Sequence, residues 1–252
     1  MEKLGTAISG LDLLSQASRG KQTGSPDLCK IHGVEKRFIP SRCDDLCPEC
    51  WKIERNEELR KEKVADAHYF LSLPKRLKGM SFDNYRPANS KAAEALEICK
   101  KFAADMKGGL ILIGSVGTGK THLAVAICNA FCDAGKRAKL VTIPEIIRAV
   151  RSTWGNRAEY SNGETEEDVI EKYSVIPLLV IDEIGSQYGT DGERIIISEI
   201  INNRYNNELP TVLIGNVTMT QATEYLGERV IDRVRHGGRV VVFDWESYRK
   251  PA

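Results

Sequence analysis

The sequence predicts an α/β protein: a five-stranded parallel sheet between helices, preceded by a small N-terminal module built on cysteine. Three observations carry this. Five short apolar segments rich in Val, Ile and Leu (GLILIG, AKLVTI, PLLVID, TVLIGN and RVVVFD) alternate with stretches of helical spacing, the pattern of a parallel sheet covered on both faces. Gly114-Ser115-Val116-Gly117-Thr118-Gly119-Lys120-Thr121 joins the first of those strands to the next helix. Four of the 7 Cys fall between Cys29 and Cys50, where large apolar residues are few.

In chain order, residues 1 to about 28 are polar, and Gly20 to Pro26 reads as a linker. Residues 29–50 are too few to bury a core, so something other than apolar burial must hold them. Residues 52–63, KIERNEELRKEK, carry mixed charge without Gly or Pro and predict an exposed helix. Strands are expected at 109–114, 138–143, 177–182, 211–216 and 239–244. Helices are expected at 89–106, 119–134, 144–153, 190–206 and 219–236, the last with a break at Gly227. The expected organisation is an N-terminal region over 1–66, a linker over 67–88 and the nucleotide-binding domain over 89–252.

Composition bounds the function. Lys+Arg 36 against Asp+Glu 35 leaves a net charge of +1, so any nucleic-acid binding must use a local basic patch. No apolar run approaches the ~18 residues of a membrane span. The N-terminus lacks the apolar core of a signal peptide, which points to the cytoplasm. In a reducing compartment, clustered cysteines favour metal over disulfides.

The octapeptide fits G-x-x-x-x-G-K-[ST] in the strand–loop–helix context the motif requires. Its glycines let backbone N–H groups converge on phosphates, and the helix N-terminus opening at Lys120, Thr121 and His122 adds its dipole. Lys120 is expected on the β- and γ-phosphates and the Thr121 hydroxyl on Mg²⁺. About 60 residues later, Leu178-Leu179-Val180-Ile181-Asp182-Glu183 is an apolar strand ending in two carboxylates. Asp182 is placed to hold the metal shell, and Glu183 to polarise a water for in-line attack on the γ-phosphate. Such a pair indicates the ATPase branch with an extra strand between the two motifs, a place given to 138–143.

Asn216 ends the TVLIGN strand and can orient the attacking water, or can serve as a turn residue. Arg229 and Arg233, four apart, share a helical face. They fit either an arginine finger or a solvated basic surface. Cys29-x2-His32 and Cys47-x2-Cys50 supply four soft ligands for tetrahedral, structural Zn²⁺, with Cys43 a fifth candidate. Cys99, Cys128 and Cys132 fall on expected helices and read as buried residues. Arg148, Arg151, Trp154, Arg157 and Tyr160 interleave cations and aromatics, either as a single-strand DNA surface or as solvated arginines around a core Trp.

GSVGTGKTHLAVAICNAF, LLVIDEIG, LGERVIDRVR and DWESYR together resemble the DnaC-type bacterial helicase loaders of the AAA+ ATPases over roughly residues 80–250. The resemblance implies an AAA+ core without a helical lid, and the chain ends directly after its fifth strand. It implies ATP-dependent self-association, a grip on single-stranded DNA and delivery of the hexameric DnaB-type replicative helicase. By it Asn216 takes the sensor role, Arg233 the finger role and Arg249 that of a second nucleotide-sensing arginine. The C-x2-H-G…C-P-x-C module resembles that of DnaI-type and phage loaders, with residues 1–66 engaging the helicase. The rival within the clade is an IstB-type helper of transposition; the Cys-rich module, GERVIDR and W-x-SYR favour the loader. A more distant rival, an adaptor using ATP only as a switch, is disfavoured by Glu183.

Overall fold

The computed structural model describes residues 27–39, 44–154, 164–185 and 190–249. The Gly20–Pro26 linker, Cys43, Arg157 and Tyr160 lie outside the described residues. The chain divides into two compact units between Glu58 and Leu59, earlier than the expected boundary at 66.

In the first unit, a bridge pairs Leu28 with Glu35. Strands β1 (Arg37–Ile39) and β2 (Asp44–Leu46) pair antiparallel, Arg37 opposite Leu46. Helix α1 (Pro48–Leu71) opens with Pro at its first position, where the missing N–H costs nothing. It runs well past the expected 52–63 because neither Gly nor Pro interrupts the sequence before Pro74.

The second unit takes in the end of α1, where Ala67 and Leu71, one turn apart, are buried. The span 67–88 is packed rather than linking. Leu77 and Tyr85 are buried, and its irregular backbone finds donors on the helix that follows the phosphate loop. Asn129 Nδ2 donates to the Met80 carbonyl (2.8 Å) and His122 Nε2 to that of Ser81 (2.9 Å). Then follow α2 (Ser90–Asp105), β3 (Gly109–Gly114), α3 (Lys120–Asp133), β4 (Ala138–Thr142), α4 (Ile143–Arg151), α5 (Glu166–Val175), β5 (Leu178–Ile184), α6 (Asp191–Asn206), β6 (Thr211–Gly215), α7 (Met219–Leu226), α8 (Glu228–Arg235) and β7 (Arg239–Phe243).

The five later strands form one parallel sheet in the order β4-β5-β6-β3-β7. Side chains alternate across it with the period of two. Leu110, Leu112, Leu178, Val180, Val212 and Ile214 face α2 and α3, in one core with Phe102, Leu123 and Phe131. Ile111, Ile113, Leu179, Ile181 and Leu213 face α4 to α8, with Ile146, Ile197, Ile200 and Val230. The strand between the phosphate-loop strand β3 and the carboxylate strand β5 is β6; β4 (138–142) lies at the edge. This corrects the expectation that 138–143 sits between them: the crossover through α3 skips two positions, which β6 and β5 fill. Helix α5, which is not among the expected helices, starts on a capping box of Thr165 and Asp168. The expected break at Gly227 separates α7 from α8.

Candidate functional site

Parallel strands expose their C-terminal ends to a common crevice. There a cleft of about 1100 Å³ is lined by Gly117, Lys120, Thr121, Asp182, Glu183, Asn216 and Arg249, among others. Gly119, at φ +95°, hands the loop to α3; a Cβ there would meet the Tyr85 ring at 2.7 Å. Lys120 is 4% exposed and donates to the carbonyls of Gly114 (3.0 Å) and Ser115 (2.5 Å). Burial pulls its ammonium down to about 8; Asp182 opposes the fall and Arg249 adds to it. A cation desolvated in this way gains more from a phosphate than one in water.

Thr121 donates its hydroxyl to Asp182 (3.3 Å). Burial raises the Asp182 carboxyl above its ordinary range, against the Glu183 N–H, the Thr121 hydroxyl and the Lys120 charge. Hydroxyl and carboxylate together are a hard oxygen pair suited to Mg²⁺. Between Ile181 and Ile184 the β5–β6 register shifts, and Glu183 takes φ +63°. A left-handed non-Gly residue costs ~1–2 kcal/mol. Here the bulge leaves Asp182 half-buried and presents Glu183 at the cleft, and the Asp182 carboxylate accepts the Glu183 N–H at 2.6 Å. Asn216, directly after β6, is exposed at the same cleft.

The segment after β7 folds onto the phosphate loop. The Ser115 N–H donates to the Phe243 carbonyl (2.9 Å) and the Tyr248 N–H to that of Gly117 (2.9 Å). The buried Trp245 indole donates to the Thr118 carbonyl (3.1 Å) and packs on Phe243 at 4.7 Å between centroids. The Tyr248 hydroxyl accepts from the Ala88 N–H (2.9 Å), and the two ring systems Tyr85 and Tyr248 meet edge to face at 6.0 Å. Tyr85 also meets His122 at 5.3 Å, and His122 lines the same cleft. Arg249, placed by its motif alone, lines the cleft. Sequence reasoning missed Tyr85, Trp245 and Tyr248; the W-x-SYR match was the available signal for Trp245 and Tyr248, and Tyr85 had none.

Arg233 does not line the cleft. It is half-buried on α8 with its guanidinium 6.0 Å from the Tyr205 ring, while Arg229 one turn earlier is exposed. Arg148, Arg151 and Trp154 are exposed around the end of α4. The Trp154 indole donates to Glu166 (2.6 Å), so it is a surface residue and not part of the core; Arg151 pairs with buried Glu193 (3.0 Å). Cys99, Cys128 and Cys132 are fully buried.

In the first unit the sequence-paired ligands converge. A turn with Gly33 at φ +66° brings His32 back to Cys29, and Cys47 and Cys50 straddle the start of α1. Cys29 Sγ lies 3.7 Å from Cys50 Sγ, and His32 Nδ1 lies 3.7, 3.6 and 3.4 Å from the sulfurs of Cys29, Cys47 and Cys50. All four ligand atoms lie within 4.8 Å of one another. A tetrahedral ion with Zn–S ~2.3 Å and Zn–N ~2.0 Å sets ligand atoms ~3.5–3.8 Å apart, so the residues fit zinc. Backbone N–H groups, that of His32 foremost, pull the Cys29 thiol down to about 6.

Residues 52–252 match the family described as IstB-like ATP binding protein. The chain belongs to that family. The protein DnaC of Escherichia coli (strain K12), named a replicative helicase loader, is 38% identical over 173 residues, covering 67% of this chain and 69% of DnaC. The protein YdaV of the same strain is 32% identical over 205 residues, 79% of each chain. A crystal structure of the DnaC helicase loader aligns with TM-score 0.59 at 27% identity over 68% of this chain and 100% of that one. The IstB-like core described here is thus a DnaC-type AAA+ fold, an ATP-binding architecture, and among the described residues no helix is long and apolar enough to cross a membrane.

Proposed function

We propose that this protein is an ATP-dependent loader that delivers a DnaB-type replicative helicase onto single-stranded DNA, in the cytoplasm, during replication initiation. The observation that carries this reading is the complete Thr121–Asp182–Glu183 arrangement beneath the phosphate loop, in a core 38% identical to a named loader. Gly114 to Thr121 cradle the ATP phosphates, with Lys120 on the β- and γ-phosphates. Thr121 and Asp182 hold Mg²⁺, whose charge neutralises the leaving phosphates. Glu183 and Asn216 orient the attacking water, and Glu183 accepts its proton. Arg249 senses the nucleotide from within the chain. Arg233, which does not line its own cleft, reaches the γ-phosphate of a neighbour in an ATP-dependent assembly. Arg148, Arg151 and Trp154 offer a cationic and aromatic surface to single-stranded DNA. The N-terminal region 1–66, in which Cys29, His32, Cys47 and Cys50 hold Zn²⁺, grips the helicase.

Affinity capture with the full chain tests the partner. The replicative helicase should be retained in ATP, and recovery of a transposase in its place would favour the IstB-type reading. The Glu183→Gln variant tests the chemistry: nucleotide affinity should stay, and phosphate release should fall at least ~10²-fold. Wild-type turnover in that variant would remove Glu183 from the role of base.

A further inference from the structure

We infer that the segment Phe243–Tyr248 is a strap that aims the phosphate loop, with Trp245 and Tyr248 as positioning residues for the nucleotide's β-phosphate. The inference rests on the proposal that Gly114 to Thr121 hold a nucleotide, and adds to it a cause for the loop's geometry.

In a trans peptide the carbonyl oxygen and the next residue's N–H leave opposite edges of one plane. The Gly117 carbonyl shares its plane with the Thr118 N–H, and the Thr118 carbonyl with the Gly119 N–H. The Tyr248 N–H holds the first carbonyl at 2.9 Å and the Trp245 indole N–H holds the second at 3.1 Å. Fixing those two oxygens against the strap turns the N–H groups of Thr118 and Gly119 away from it. Among the described residues neither N–H donates to another backbone group. The Ser115 N–H is spent on the Phe243 carbonyl and is unavailable to a phosphate. The strap therefore selects which loop amides serve as donors.

A loop with three glycines has no steric reason to keep these planes, since Gly admits both signs of φ. The strap supplies that reason and is itself fixed. Trp245 is buried and stacked on Phe243, Asp244 pairs with Lys91 at 2.5 Å, and the Tyr248 hydroxyl accepts the Ala88 N–H. At Gly117 a Cβ would stand 2.0 Å from the Ser247 hydroxyl, so strap and loop are in direct contact there.

The test replaces the indole N–H and keeps the ring. Trp245→Phe, and incorporation of benzothienylalanine at 245 (a sulfur for the N–H at unchanged shape), should each weaken ADP about five- to tenfold, the worth of one hydrogen bond in a dry site. Inorganic pyrophosphate, measured as a competitor, should weaken by the same factor, because the strap acts on the phosphate cradle alone. The benzothienyl protein keeps the inference falsifiable if Trp245→Phe fails to fold. Unchanged ADP affinity in the folded variant would overturn it, as would a loss for ADP without one for pyrophosphate. Lys120→Ala serves as the reference: if that variant binds ADP like the wild type, the phosphate-loop reading itself fails, whatever Trp245 does.

Discussion

At the scale of single residues, Lys120 holds the most consequential charge in the molecule. Its ammonium sits at about 8 because burial outweighs Asp182 and Arg249 adds repulsion. The free chain's lysine titrates near 10.4. Between pH 8 and 10.5 the unfolded chain therefore binds more protons than the folded one, and this group's contribution to nucleotide-free stability rises with pH across that window. Nucleotide affinity runs the other way, since a deprotonated Lys120 loses its attraction to phosphate: ADP affinity should fall as pH rises past about 8. Calorimetry at pH 7, 8 and 9, beside urea melts, should show the two trends diverging. Arg249→Gln removes the like charge and should move the affinity loss to higher pH; an unmoved midpoint would detach Arg249 from the site. Lys120 and Thr121 were legible in the sequence because a strand–loop–helix unit fixes their spacing, and Asp182 and Glu183 because two carboxylates end an apolar strand. The left-handed Glu183 was not, since the bulge that turns it depends on its pairing with a strand about 30 residues away.

At the scale of elements, the five parallel strands stand where their apolar runs put them, and β5 alone extends clearly past its expected end, to Ile184. Their order was not legible, because each central strand is apolar on both faces and carries no mark of its neighbour. Helix α5 escaped notice because Glu166, Glu167 and Asp168 fill its first turn and mask its apolar face, although Thr165 and Asp168 already wrote the capping box. Arg204 anchors that helix: fully buried on α6, it donates to the carbonyls of Tyr173, Ile176 and Pro210 and to the Thr211 hydroxyl. Arg204→Met should strand those acceptors and cost about 3 kcal/mol in urea unfolding; a loss under ~1 kcal/mol would make the anchor dispensable. The first unit depends on a different source of order. Purified protein should carry about one zinc per chain. Cys47→Ser should abolish it and the fold of that unit while leaving ADP binding intact. Freshly purified protein free of zinc by elemental analysis would refute the assignment of Cys29, His32, Cys47 and Cys50.

At the scale of the whole molecule, the cleft holds Lys120, Asp182 and Glu183 but not Arg233; in the proposed assembly a second copy would bring that guanidinium to a γ-phosphate. Arg233→Ala should leave ADP affinity of the isolated subunit nearly unchanged and lower DNA-stimulated turnover by tenfold or more. Mixed with Lys120→Ala, it should recover part of the activity, because only the mixture pairs an intact Lys120 with a neighbour's intact Arg233. A mixture as inactive as each variant alone would speak against action between subunits, and full turnover by Arg233→Ala would return α8 to a plain basic surface. The clamp on the phosphate loop has a temporal consequence. Trp245 follows its acceptor Thr118 by 127 residues, and a ribosome adds residues at ~5–20 per second. A nascent chain thus displays its Gly114–Thr121 motif for several seconds before the residues that orient it exist. Ribosome-bound chains halted before Phe243 should retain ADP less well than chains extended past Arg249, so the newborn protein responds fully to nucleotide only once the strap has been made.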